Sequence, residues 1–248
     1  MTGYRMTPLF QGYPGKAVEH GGLGWSSVTL LADADRLVLV DSGGFGMRPL
    51  LGKRLAEHGV DPGDVTDVLL THAHYDHAGN YPLFPAAKVW ISAAELEWAA
   101  RTGAAFMPLP ELYAADLATG PRTNRIERDG EFLPGIEAFA APGHTPGCLV
   151  YRATGEHGPI LFTGDAAKNR AELLSGAVDM SLDRAASGSS IERIRALWRE
   201  RAETLLVPGH DVPMRLDGGE PRYQGERRAA IRSWFGEELG ETTHYDLT

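Results

Sequence analysis

Cysteine is almost missing from this chain: Cys148 is the only one in 248 residues. No internal disulfide can form, which fits a reducing compartment, and a cytoplasmic protein is expected. Long apolar runs are missing too. No stretch of 18 apolar residues occurs, and Met1-Thr2-Gly3-Tyr4-Arg5 opens no signal-like segment, so neither a membrane span nor a secretory leader is expected. Basic charge is scarce: 24 Lys and Arg stand against 33 Asp and Glu, a formal net charge of −9. A surface for a phosphate backbone needs clustered Lys and Arg, so nucleic acid is not an expected partner. What remains is an ordinary chain with 43% hydrophobic residues, long enough to build a sizeable core as one domain over 1–248.

Histidine is where the chain departs from the ordinary. Three of its nine histidines fall in Thr71-His72-Ala73-His74-Tyr75-Asp76-His77, directly after the strand-like run Val65-Thr66-Asp67-Val68-Leu69-Leu70 and before the turn Ala78-Gly79-Asn80. A polar cluster where a buried strand gives way to a loop is a usual place for chemistry in α/β proteins. Imidazole nitrogen and carboxylate oxygen are ligands that zinc and related divalent ions accept. Histidines spaced i, i+2 on extended backbone point the same way, so His72 and His74 can share one ion. A turn after His74 would aim Asp76 and His77 at a second point. The plain alternative is a solvated histidine-rich loop.

Three later segments favour the metal. Ile136–Gly143 leads to His144, Pro159–Gly164 leads to Asp165, and Thr204–Gly209 leads to His210. Each is an apolar, strand-like run, then a glycine, then a candidate ligand. Five histidines and two aspartates delivered by four strand ends suffice for two ions sharing a carboxylate.

On these residues the chain resembles the metallo-β-lactamase-fold hydrolases, whose signature is HxHxDH followed by separate His, Asp and His ligands. The resemblance covers about Trp25 to Asp211. It implies an α+β, four-layer αββα sandwich with the metals at the end of the sheets. Carried over position by position, it implies one site of His72, His74 and His144, a second of Asp76, His77 and His210, and Asp165 bridging them. The implied cofactors are two divalent ions, zinc by default with iron or manganese tolerated. The implied activity is hydrolysis of a small molecule by a metal-bridging hydroxide that opens a lactone or cleaves a carboxylic ester, with Asp76 also orienting the nucleophile and carrying its proton. His144 to Asp165 is 21 residues and Asp165 to His210 is 45, spacings similar to the N-acyl homoserine lactonase branch. Those lactonases carry a tyrosine shortly after the bridging aspartate, whereas this chain has Ala166-Ala167-Lys168-Asn169. Lys168 is a candidate cation for a substrate carboxylate or oxyanion, or an exposed helix-start lysine. A thioesterase of the glyoxalase II type and a mononuclear-iron persulfide dioxygenase are the alternative activities. Monomer and homodimer are both open.

The rest of the chain frames this site. Residues 1–24, with six glycines, read as an irregular arm with one short strand, carrying a surface His20. Trp25–Leu31 and Arg36–Val40 read as a strand pair running into Asp41-Ser42-Gly43-Gly44. By resemblance Asp41 orients a ligand from behind, as carboxylates commonly do for metal-bound histidine; a turn cap is its other reading. Helices are expected over Arg48–His58, Ala93–Arg101, Ser190–Ala202 and Arg227–Leu239, and a strand at Lys88–Ile91. Cys148 reads as a buried strand residue. Residues 102–123 are broken by Gly103, Pro108, Pro110 and Pro121 yet carry Phe106, Met107, Leu109, Leu112 and Tyr113; the resemblance implies an irregular segment forming part of an apolar substrate wall, and a satellite packing cluster under a loop is its other reading.

Overall fold

The computed structural model describes residues 3–19, 21–102 and 109–248. His20, Phe106 and Met107 lie outside the described residues. Strands β1 (Arg5–Phe10), β2 (Val28–Ala32), β3 (Leu37–Val40), β4 (Asp67–Leu69), β5 (Lys88–Ser92) and β6 (Thr123–Ile126) make a six-stranded sheet in chain order. Its first two pairings are antiparallel and the last three parallel. Strands β7 (Gly130–Leu133), β8 (Ile136–Ala140), β9 (Leu149–Gly155), β10 (Gly158–Gly164), β11 (Leu205–Pro208), β12 (Met214–Asp217) and β13 (Glu220–Tyr223) make a second sheet, also in consecutive order. There β10 and β11 run parallel.

Parallel neighbours need crossovers, and the helices supply them. Helix α1 (Arg48–Ala56) joins β3 to β4, and α2 (Tyr75–Ala78) joins β4 to β5. Helices α3 (Ala93–Thr102) and α4 (Glu111–Thr119) join β5 to β6, and α5 (Arg170–Ser175) and α6 (Arg184–Arg199) join β10 to β11.

Side-chain alternation along the strands sets the layers. Leu30, Leu39 and Val68 face outward onto Leu51 and Leu55 of α1, Leu96 of α3 and Leu117 of α4. Their neighbours Leu31, Val38, Val40 and Leu69 face the second sheet and meet Tyr151, Phe162 and Val207. The other face of that sheet, with Val150, Leu161 and Leu206, packs on α5 and α6. Helices, sheet, sheet, helices is the expected αββα order. The buried face of α6 includes Ile191, Ile194, Leu197 and Trp198, the aliphatic ones each stabilising by about 1.5–3 kcal/mol when fully buried.

Three expectations change. Helix α6 starts at Arg184, before Ser190, because the Asp183 carboxylate accepts from the Ala185 and Ala186 amides at 3.0 Å each and caps the added turns. The proline-broken 102–123 segment holds α4, which begins directly after Pro110. The helix expected over Arg227–Leu239 does not form: β14 (Ala230–Ser233) pairs antiparallel with β15 (Thr243–Asp246) instead. Ile231, Trp234, Phe235 and Leu239 have helical spacing, but Trp234, Phe235 and Leu239 are 56%, 75% and 91% exposed. A helix there has no core face to bury, and periodicity without burial contributes little.

Candidate metal centre

Strands β4, β8, β10 and β11 all end on one edge of the sandwich, and each releases its donors there. The two halves are stitched together at that edge. The Leu149 amide donates to the Thr71 carbonyl at 2.9 Å, and Tyr151 Oη donates to the Leu70 carbonyl at 2.8 Å. Gly164 takes φ +47 against Thr71, where a Cβ would sit 2.6 Å from the threonine Cβ, so only glycine lets Asp165 approach this closely.

Past β4, His74 is extended (φ −76°, ψ 150°) and α2 begins at Tyr75. The backbone therefore turns between the two halves of the motif, as the sequence suggested. His72 and His74 converge with His144, while Asp76 and His77 converge with His210. Asp165 stands between. Its Oδ1 is 3.1 Å from Nε2 of both His77 and His210, and its Oδ2 is 3.3 Å from Nε2 of His144. Asp76 Oδ2 is 3.3 Å from His210 Nε2, and His144 Nε2 is 3.0 Å from His74 Nδ1.

These are lone-pair atoms facing one another. His72 Nε2 and Asp165 Oδ1 are buried with no hydrogen-bond partner among the described residues, although buried polar groups nearly always have one. Cations resolve both problems, and this nitrogen and oxygen donor set suits divalent ions. Burial keeps the first three histidines neutral, as ligands must be: His72 is held well below its ordinary range, His74 down at about 4 and His144 at about 3. Burial acts the same way on His77 and His210, but the carboxylates around them, Asp165 foremost, outweigh it and raise both. Burial alone would raise the Asp165 carboxyl; His210, His77 and His144 together hold it well below the carboxylate range.

The far sides of the His77, His72 and His144 rings are held. His77 Nδ1 lies 2.7 Å from Asp41 Oδ2. Asp41 also accepts from the Thr71 amide at 2.8 Å and from the Thr71 hydroxyl, from a backbone at φ +54. Thr71 Oγ1 is 3.1 Å from His72 Nδ1. His144 Nδ1 donates to the Met180 carbonyl at 2.8 Å, leaving Nε2 free for the centre. Asp41 therefore contacts His77 through the ring nitrogen opposite the one facing Asp165. Asp41→Ala is expected to weaken metal binding about 10–100-fold. It also orphans the buried Thr71 amide, costing about 1–3 kcal/mol. Chelator competition with thermal melting checks both, and unchanged metal affinity would remove Asp41 from this role.

Two supports were not visible in the sequence. Met180 acts through its carbonyl, which no side-chain pattern betrays. Glu95 is fully buried in the first turn of α3, with Oε1 accepting from the Ala73 amide at 2.9 Å and Oε2 from the Gly147 amide at 3.0 Å. Lys168 lies beside the centre but is engaged: its ammonium is 2.9 Å from Glu172 Oε1 and donates to the Asp179 carbonyl at 2.7 Å. It thereby anchors the 179–180 segment whose carbonyl holds His144. Next to Asp76 in the chain, the Tyr75 ring stacks near Phe45 at 6.5 Å between ring centroids, and Phe45 meets Tyr113 of α4 edge-on at 5.6 Å. No helix among the described residues is long and apolar enough to cross a membrane.

The comparisons with known proteins agree with this geometry. The metallo-beta-lactamase superfamily matches residues 21–210. The human protein called metallo-beta-lactamase domain-containing protein 1 is 30% identical over 221 residues, 88% of this chain and 74% of its own length. An N-acyl homoserine lactonase from a Bacillus species is 29% identical over 157 residues, 62% of this chain and 59% of its own length. Among solved structures, AidC, described as a dizinc quorum-quenching lactonase in complex with a product, superposes with a TM-score of 0.63 at 18% identity, covering 91% of this chain and 92% of that one. With the match spanning the whole ligand-bearing edge from the strand pair to His210, this chain belongs to the metallo-beta-lactamase superfamily and is a metal-dependent hydrolase.

Proposed function

We propose that this hydrolase holds two divalent ions, zinc by default, and opens a lactone or cleaves a carboxylic ester on a small molecule. His72, His74 and His144 would hold one ion, Asp76, His77 and His210 the other, and Asp165 both. The observation that carries this reading is Asp165, whose two oxygens face different histidine sets at 3.1–3.3 Å. The relatives that bear lactonase names support the substrate class.

Bound ions supply Lewis acidity and a nucleophile at neutral pH. The chain supplies the rest. Asp76 is the most open carboxylate of the set, its side chain 17% exposed against 6% for Asp165, so it is placed to take the nucleophile's proton and return it to the departing alkoxide. Phe45, Tyr75 and Tyr113 present an aromatic flank for the apolar part of a substrate. Tyr113 brings α4 to this flank, which supports a substrate-covering role for that helix. Lys168, tied to Glu172 and Asp179, serves as a pin for the loop behind His144.

The test is proton release in a pH-stat from a medium-chain N-acyl homoserine lactone, with metal content measured on the same sample. Turnover that chelation abolishes and zinc restores is the expected result. No turnover on lactones or esters with two ions bound, and turnover on a thioester, would overturn the substrate class.

A further inference from the structure

Glu95 is a buried carboxylate whose hydrogen-bond partners among the described residues are all neutral donors. They are the Ala73 amide, the Gly147 amide and the Thr145 hydroxyl. Burying a charge without a counter-charge is costly, so the position needs a reason. Ala73 lies between His72 and His74. Gly147 closes the turn that presents His144, and a Cβ on it would sit 2.2 Å from the Glu95 nitrogen. The clamp is fixed at its own end as well: the Glu95 amide donates to Ser92 Oγ at 3.3 Å, at the start of α3.

One carboxylate thus joins the two chain segments that supply the first histidine set, one from each sheet. Only a carboxylate accepts at both ends. A glutamine would turn an NH2 group toward one of two N–H donors. Resting on the metal reading above, we propose that Glu95 is a positioning residue. It sets the separation of His72 and His74 from His144, and so the affinity of the first metal position, without touching metal or substrate.

The experiment titrates zinc against a chromophoric chelator in two backgrounds. His210→Ala leaves the first set complete, and His144→Ala leaves the second. Wild-type protein is titrated beforehand, and fewer than two ions there would overturn the dinuclear reading itself, independently of Glu95. Adding Glu95→Gln is expected to weaken zinc binding about 10–100-fold in the His210→Ala background and by less than about twofold in the His144→Ala background. A side chain that merely fills the core would shift both equally, through stability, or neither; either result would overturn the proposal. Glu95→Asp keeps both acceptors but is one methylene shorter. It is expected to show a smaller loss with the same selectivity for the first set, and it carries the test should Glu95→Gln fail to fold. Equal losses of affinity on adding Glu95→Asp in both backgrounds would also reject the idea.

Discussion

Asp165→Asn is expected to bind no more than one metal ion and to lose activity by on the order of 10³-fold or more. Asparagine is nearly the same shape, so the loss comes from chemistry. It has one acceptor oxygen and no charge. In the native site Oδ1 faces His77 and His210 while Oδ2 faces His144. The amide NH2 must point at one of those sets, where it meets nitrogen lone pairs that should be bound to a cation. The side chain cannot swing aside to relieve this. Gly209 packs so tightly that a Cβ on it would lie 2.5 Å from Asp165 Oδ1. Elemental analysis of the purified variant, followed by kinetics under excess zinc, checks the two parts separately. Two ions retained at native affinity would refute the shared-carboxylate arrangement.

Four of the seven candidate ligands were legible because they crowd into His72–His77 after one strand, and the other three, His144, Asp165 and His210, because sheet topology writes them in a repeated form. A strand is apolar, its turn needs glycine, and the next residue is delivered to the edge. The supports behind them were less legible, for reasons that differ. Asp41 could be named only through a resemblance, since an aspartate after a strand is also an ordinary turn residue. Glu95 was masked by its own position: an acidic residue in the first turn of a helix is already explained by the helix dipole. Ser92, three residues before it, is a conventional cap. Nothing local announces that its partners are Ala73 and Gly147. Lys168 was singled out because it replaces a residue expected from the resemblance, but its ion pair is with Glu172 of the short helix α5 that follows it and its other contact is with Asp179 on the loop beyond. The 227–239 segment failed in the opposite way. Its helical spacing was real, but spacing becomes helix only where a core accepts the apolar stripe, and Trp234, Phe235 and Leu239 have none.

Asp76→Asn separates metal binding from proton handling, because the amide retains an oxygen ligand but not a base. With zinc saturating, kcat on an alkyl lactone is expected to fall about 10²–10⁴-fold with KM nearly unchanged. The reason is placement: Asp76 Oδ2 lies 3.3 Å from His210 Nε2 and 3.7 Å from His77 Nε2, and it is the more exposed of the two candidate ligand carboxylates. Its backbone carbonyl accepts from Ser26 Oγ, so the residue stays put when its side chain changes. The leaving group provides an internal control. An alkoxide departs poorly unless protonated, whereas a nitrophenolate departs without help. The deficit on a nitrophenyl ester should therefore be at least tenfold smaller than on the alkyl lactone, since only the second half of the proton's path is spared. Equal deficits on both substrates would mean that Asp76 acts only as a ligand. A deficit removed by added zinc would assign the whole effect to metal affinity. If the expected split is seen, the proton's route runs through Asp76, and the other six donors are left with the single task of fixing where the ions sit.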